Sequence, residues 1–353
     1  GLGRQFCIGG FGLHLRSFVT TTKPKSSLNH NLKSVPWALT GDSQLPVNGT
    51  GAKEYAERVE TVTDGSLKLR HFEPGALLPA LDYYDAVSQG SIEAAWGGPA
   101  FYASKNSAYM LFASVPFGPD AVEYLAWMRH GGGQELWANL LAKDNLVSIP
   151  CTIVAPESAG WFREEITSTD AFRGLKIRFL GLGGRVLQKL GAAPQLLAPG
   201  DIYTALEMGT IDATEFAMPM QDEKLGFHEI AKHYYFPGWH QQSTFLDILI
   251  NKPLYDGLSQ SQQAALHTAC DAQIVKSIAD GEGLNFQAMA RLTEEQGVTL
   301  HELSPEILAE FRSAWEEVAT QEAAANPDFA QVFDSYSAFR EDYRLWRDRA
   351  YLK

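Results

Sequence analysis

Four polar residues between positions 157 and 241 carry most of the chemistry this sequence offers. In the run GLKIRFLGLGG (174–184), Leu175, Ile177 and Phe179 alternate with Lys176 and Arg178, the two-residue period of a strand. Glycines follow, and then RVLQKLG with helical spacing. A glycine-rich turn at a helix N-terminus presents backbone N–H groups and the positive end of a helix dipole. Arg178 beside it marks a candidate anion site. A strand arginine among apolar neighbours needs a partner. Two kinds fit: an acid of the chain itself, or a ligand carboxylate held by two parallel hydrogen bonds. Glu157, Glu215 and Gln241 fall at strand ends or loops of the same segment. Two carboxylates and an amide oxygen suit a hard cation. The carboxylates could equally do acid–base work, or all three could be solvated loop residues.

Other arrangements fail on spacing. GLGGRV places Val186 where a dinucleotide fingerprint needs its third glycine. His228-Glu229 is followed by His233, five residues after the first histidine rather than four, so a zincin face is not formed. No G-x-S-x-G elbow is present. The three cysteines, Cys7, Cys151 and Cys270, show no CxxC. They read as small buried apolar residues, with a single Cys151–Cys270 bridge as the alternative.

The elements that must position these residues follow from the rest of the chain. Its 353 residues suit two α/β lobes better than one core. A net charge of −13 with no basic stripe argues against nucleic acid as a partner. No run of 18 apolar residues occurs, so no membrane-spanning helix is expected. Residues 1–32 read as a leader or disordered segment, atypical for an export signal, and Gly1 suggests an incomplete start. From there to Trp96 the pattern is β-α-β-α-β, the rhythm of a largely parallel sheet. The aromatic, glycine-rich stretch 97–118 follows a strand, where open α/β sheets place ligands. Tyr102 is its polar handle, or packs in an aromatic core. Strands are expected over Leu146–Val154, Ile211–Met218 and Thr244–Asn251, and a helix over QDEKLGFHEIAKHYY. The chain is then mostly helical. The last helix, from Phe329, mixes aromatic and charged residues and needs a surface to pack on, its own lobe or a second subunit.

At this point a resemblance emerges. GLKIRFLGLGGRVLQKLGAAPQ, GDIYTALEMGTIDATEF and DEKLGFHEIAKHYYFPGWH resemble the DctP-type solute receptors of tripartite ATP-independent periplasmic (TRAP) transporters. EPGALLPALDYYDAVSQGSIEAAW, HGGGQELW and AFREDYRLW extend the likeness from about Lys33 to the C-terminus. It is nearest the branch that binds 2-oxo acids and lactate. The resemblance implies an α/β, periplasmic binding protein-like fold, two lobes joined by hinge strands, with long C-terminal helices. Lobe I would be 33–154 with 246–304, lobe II 155–245, and 305–353 the C-terminal helices, packing across a homodimer. It implies that Arg178 clamps the substrate carboxylate and Tyr102 contributes to the pocket. It also implies that a cation, Ca²⁺ or Na⁺, is held by Glu157, Glu215, the Phe216 backbone and Gln241. Glu157 and Glu215 thereby also reach the substrate.

Departures from the pattern matter. Glu157 stands for a glutamine, Gln241 for a glutamate and Phe216 for a tryptophan, so the carboxylate count is unchanged. Ala100 replaces a tyrosine and Ile153 an asparagine, which predicts a roomier, less polar pocket. The function implied is an extracytoplasmic receptor that delivers a small monocarboxylate to TRAP membrane subunits. The rivals are a receptor for a dicarboxylate or sulfonate, and an enzyme acting on 2-oxo acids, for which neither a general base nor a cofactor motif stands out.

Overall fold

The computed structural model of the chain describes residues 33–352, so the leader expected over 1–32 lies outside the described residues. The expected start is present. β1 (Lys33–Leu39) pairs in parallel with β2 (Leu67–Phe72) and with β3 (Ala94–Gly97). After two helices, Ala121–His130 and Gly133–Ala142, β4 (Leu146–Val154) leads away. The chain then builds a second sheet from β5 (Gly160–Phe162), β6 (Lys176–Arg178), β7 (Ala193–Gln195), β8 (Ala213–Thr214) and β9 (His233–Phe236). It returns through β10 (Thr244–Asn251) and adds β11 (Thr299–Glu302) late. The strand orders are β2-β1-β3-β10-β4 and β11-β9-β5-β8-β6-β7.

β4 and β10 join the two sheets. They pair antiparallel from Leu146–Asn251 to Val154–Thr244, with a register shift at Leu246/Asp247. β10, TFLDILIN, is buried along its whole length, which matches its apolar run on both faces of a helix-covered sheet. The 35-residue helix Gln260–Glu294 lies along β4. Ser259 opens it with a capping box to Gln262. Ser277 accepts the Ile153 N–H at 2.9 Å, and Gly281 sits where a Cβ would stand 2.8 Å from the Ala155 Cβ. Cys151 of β4 and Cys270 of this helix form a disulfide, not the pair of isolated apolar thiols favoured by the sequence. Their 119-residue separation hides the contact from any local pattern. The bridge suits an oxidising compartment.

Several local expectations shift. The helix expected over 221–235 is Pro219–Leu225, ended by Gly226 at φ 78°. The following HYYF is β9, because its aromatic residues fill a strand between β5 and β11. Asn48-Gly-Thr opens the helix Asn48–Val62. β11 joins the second sheet, although 246–304 had been allotted to the first lobe. The two C-terminal helices, Pro305–Ala325 and Pro327–Ala350, pack in part on their own chain. Phe329, Val332 and Tyr336 are buried, Tyr336 edge-on to Trp127, and Arg340 pairs with the buried Glu123 at 2.7 Å. Beyond Glu341 that helix is largely exposed, including Leu345 and Trp346.

Candidate ligand-binding site

Strand directions bring the sequence-derived residues together at one end of the inner strands of the second sheet. β8 runs parallel to β6, β5 antiparallel to β8, and β9 antiparallel to β5. The end of β6 (Arg178), the residue after β8 (Glu215), the segment before β5 (Glu157) and the segment after β9 (His240, Gln241) therefore lie together. Backbone bonds brace these segments. The Glu157 N–H donates to the Gln241 carbonyl at 3.3 Å, Gly238 N–H to the Glu157 carbonyl at 2.9 Å, and Ser158 N–H to the Ala217 carbonyl at 3.2 Å. Position 238 admits only glycine, since a Cβ there would stand 2.3 Å from the Glu157 carbonyl oxygen.

Arg178 is completely buried. Its Nη1 donates to Glu215 Oε2 at 2.8 Å and to the Glu215 carbonyl at 2.7 Å. Nε and Nη2 have no partner among the described residues. These two nitrogens form the side edge of the guanidinium, which matches the two oxygens of a carboxylate. The Phe216 ring lies 5.3 Å from the guanidinium carbon. Of the two partners left open by the sequence, the chain itself supplies one, Glu215, to a single nitrogen. An edge remains free.

The charges around it are shifted by burial and by one another. Burial pushes Glu157 up to about 8, against the pull of His240 and with repulsion from Glu215 adding to it. Burial also pushes Glu215 upward, but Arg178 and His240 outweigh it and hold the carboxyl below its usual range. Burial pushes His240 down, yet the two glutamates prevail and raise it to about 9. His240 Nε2 stands 3.3 Å from Glu215 Oε1 and 3.7 Å from Glu157 Oε2. Glu157 Oε2 has no hydrogen-bond partner among the described residues. Ligand atoms of Glu157, Glu215 and His240 all lie within 4.8 Å of one another. A buried carboxylate pair with an unpartnered oxygen is costly unless a positive charge meets it, so these residues fit a cation.

Beside this cluster is a cavity of about 60 Å³, lined by Glu157, Arg178, Phe216 and Gln241 and walled elsewhere by Thr40, Asn48 and Thr244 together with apolar groups such as Trp96 and Phe245. A second, open recess of about 920 Å³ shares Thr40, Gly41, Leu45 and Pro199 with it.

Three sequence expectations need correction. Tyr102 does not line the cavity. Its hydroxyl donates to Asp247 at 3.1 Å and its ring packs among Tyr84, Tyr109 and Trp137, the aromatic core reading of the sequence. Ile153 is buried on β4 away from the cavity, and Val154 takes the wall, because neighbours in a strand face opposite sides. The glycines after Arg178 are not a loop before a helix. They are the first turns of the helix Gly181–Lys189, and Gly183 is small because a Cβ would meet Phe179 at 2.5 Å and the His240 Cβ at 2.8 Å.

Two residues escaped the sequence reading. His240 is one, although it stands between Trp239 and Gln241 in a segment already singled out. Asp222 is the other: wholly buried, it accepts from Trp161 Nε1 at 2.9 Å, the Tyr234 hydroxyl at 2.8 Å and the Ala217 N–H at 3.2 Å. It ties the two segments that carry Glu157 and Glu215, and nothing in its helical neighbourhood signals that.

Residues 41–326 match the family model of the bacterial extracellular solute-binding proteins, family 7 (DctP). The chain is 34% identical over 323 residues to a monocarboxylate 2-oxoacid-binding periplasmic protein of a Nostoc species, covering 91% of this chain and 88% of that one. It superposes with a TM-score of 0.87 on a TRAP transporter solute-binding protein of Bordetella bronchiseptica, at 34% identity, over 90% of this chain and 94% of that one. That structure is a mixed-occupancy dimer with a bound active site, holding copurified calcium and picolinate, and an apo site. A TRAP periplasmic solute-binding protein of Pseudoalteromonas atlantica, with bound sodium and pyruvate, superposes at TM-score 0.84 and 31% identity, over 89% and 95% of the two chains.

Proposed function

The chain belongs to family 7 of the bacterial extracellular solute-binding proteins, and on that premise we propose that it captures a small monocarboxylate, a 2-oxo or 2-hydroxy acid, for TRAP membrane subunits. The observation that carries the substrate class is the free Nε/Nη2 edge of a fully buried Arg178 facing a small cavity. Arg178 is the one cationic residue among those lining it, so one carboxylate can be matched and a second would be buried unpaired. A dicarboxylate is disfavoured for that reason. At roughly 10–15 Å³ of free volume per water, the cavity holds about four to six waters, the scale of a pyruvate-sized acid.

In this reading the ligand carboxylate docks on the Arg178 edge. Glu157, Glu215, the Phe216 backbone and Gln241 hold a cation, Ca²⁺ or Na⁺, whose charge attracts the carboxylate and 2-oxygen of the ligand. The Phe216 ring and the apolar walls exclude water, which strengthens each charge interaction inside. Ala100 forms part of the wall. Lobe movement about β4 and β10 opens and closes the site. The ligand leaves chemically unchanged. The receptor works outside the cytoplasmic membrane, and among the described residues no helix is long and apolar enough to cross one.

Calorimetry with pyruvate, lactate, picolinate, a C4 dicarboxylate and a short sulfonate tests the reading, each with and without chelator. The expected result is binding of the monocarboxylates only, weakened when cations are removed, with the acid recovered intact. Preference for the dicarboxylate or sulfonate, or turnover of the acid, would overturn it. We further infer a homodimer in which the exposed end of the last helix, with Leu345 and Trp346, packs on a second copy. Native mass measurement should show a dimer that dissociates when residues after Glu341 are removed. That cut keeps Tyr336 and Arg340 in place.

A further inference from the structure

We propose that Leu45 is the gate of the ligand cavity: it seals the cavity from the open recess beside it and thereby limits the length of the acid's carbon chain. The inference rests on the receptor reading above and concerns which members of the substrate class fit.

Leu45 stands in the segment 41–48 that leads from β1 into the helix Asn48–Val62. It lines both the cavity and the recess. Chain order assigns it to the first sheet. Its side chain, 3% exposed, nevertheless belongs to the hydrophobic cluster of the second, with Ile202, Phe216 and Phe227. A leucine at the boundary of two spaces, packed into the far side, fills the volume through which a longer chain would leave the cavity.

The segment is held from both sides. The Pro46 carbonyl accepts the Asn48 N–H at 2.7 Å and Gln221 Nε2 at 2.6 Å. The first bond closes a γ-turn about Val47, whose φ of 63° and ψ of −55° are the rare, strained form. A β-branched residue takes that form only where its surroundings over-determine it. Here Trp96 Nε1 donates to the Asn48 carbonyl at 3.0 Å, and the Val47 N–H donates to the Thr50 hydroxyl at 3.1 Å. The Val47 side chain is buried in the cluster of the first sheet. The second bond reaches across. Gln221 is completely buried on the helix Pro219–Leu225, next to Asp222, which ties the segments carrying Glu157 and Glu215. Movement about β4 and β10 must break the Gln221 bond and withdraw Leu45, so the gate shuts with the site.

The recess shows what lies beyond the gate. Leu81, Leu197 and Leu225 wall it, and its charged residues, Asp42, Glu73 and Asp201, are all acidic. Neither lysine nor arginine is among the described residues lining it. A second carboxylate finds no partner there, whereas a hydrocarbon tail finds apolar surface. Leu45→Ala removes three carbons, and 2-oxohexanoate carries three more than pyruvate, so the variant makes room for that tail.

Calorimetry on the full chain with pyruvate and 2-oxohexanoate tests the gate, and rapid-mixing kinetics tests its latch. The wild type should prefer pyruvate by about a hundredfold, and Leu45→Ala should bind 2-oxohexanoate about tenfold tighter than the wild type does. Gained affinity for the longer acid cannot come from damaged folding. Gln221→Met keeps the bulk but not the donor. It should release pyruvate about fivefold faster, with association changed less than about twofold. Equal wild-type affinity for the two acids overturns the gate. So does a Leu45→Ala protein that binds pyruvate with no gain for 2-oxohexanoate. If Leu45→Ala does not fold, Gln221→Met decides, and an unchanged release rate there overturns the proposal. In each of these cases pyruvate binding by the wild type leaves the receptor reading standing. A wild type that binds neither acid takes both down.

Discussion

Two buried polar clusters in this protein look alike in composition and differ in what they leave open. At the strand ends of the second sheet, Arg178, Glu157, Glu215 and His240 are at most 3% exposed. They retain free atoms there: the Nε and Nη2 of Arg178, the Nδ1 of His240 and the Oε2 of Glu157. On the β10 side, Asp247 accepts from Tyr102 and from the Ser148 hydroxyl, and Ser148 in turn accepts from Trp137 Nε1 at 3.0 Å. Aromatic rings pack around this second cluster, and neither Tyr102 nor Asp247 lines the cavity. Burial alone therefore does not identify a binding site. The second cluster also keeps one unpartnered atom, Asp247 Oδ1, but away from the cavity. What separates the two is unmet hydrogen-bonding capacity beside a cavity, where a visitor can complete the first cluster.

Substitutions at the two clusters should accordingly have opposite signatures. The largest effect belongs to Arg178. Losing two charge-assisted hydrogen bonds, at about 1.5–3 kcal/mol each, costs roughly a hundredfold to ten-thousandfold in affinity. Arg178→Ala should abolish measurable pyruvate binding. Arg178→Lys, which keeps the Glu215 pair in place but lacks the flat edge, should still lose most of it. Micromolar binding by either variant would show that the free edge is not the clamp. The next effect is at Glu157 and Gln241, which sit in contact through their backbones. Glu157→Gln removes one carboxylate from the cation and should weaken cation binding about tenfold or more. Adding Gln241→Glu returns the count and should restore it. A double-mutant cycle that shows additive losses, with no restoration, would disprove the shared-cation reading.

The contrast also explains what could be read from sequence. Arg178 and Glu215 were legible because each sits in a motif whose strand rhythm fixes its place, and parallel β6–β8 pairing then aligns the two ends. The major strands β1, β4 and β10 were legible from their apolar runs, and β2 from the alternation of LKLRHF. Tyr102 was not, since an aromatic in a short 3-10 turn (Pro99–Tyr102) has no period to say which way it faces. His240 was overlooked because its meaning lies in two glutamates 83 and 25 residues away in sequence. The Cys151–Cys270 bridge was hidden for the same reason, as was the extent of β9, where local helix-like spacing yielded to pairing with β5 and β11.

A smaller effect tests the second cluster. Tyr102→Phe takes one donor from buried Asp247 and should lower stability by about 1–2 kcal/mol, read by denaturant midpoint. Pyruvate affinity should stay within twofold. A large loss of affinity would place Tyr102 in the site after all and dissolve the distinction between the clusters.

The finest test is the pH response of Asp247. Burial, only partly offset by Ser148 and Tyr102, raises its carboxyl from 3.8 to about 7. The folded protein thus holds a proton on Asp247 that the unfolded chain has already released. That linkage stabilises the fold fully below about pH 4 and is lost as pH rises through about 7. Asp247→Asn carries no such proton. The melting temperature of the variant should therefore gain on that of the wild type between pH 4 and pH 7 and hold level above about pH 8. Taking the difference between the two proteins cancels the contributions of Glu157 and Asp222, which burial also raises, to about 8 and about 7. A difference that stays constant with pH would mean that Asp247 is charged in the fold like any exposed carboxylate, and that the second cluster is less self-sufficient than its hydrogen bonds imply.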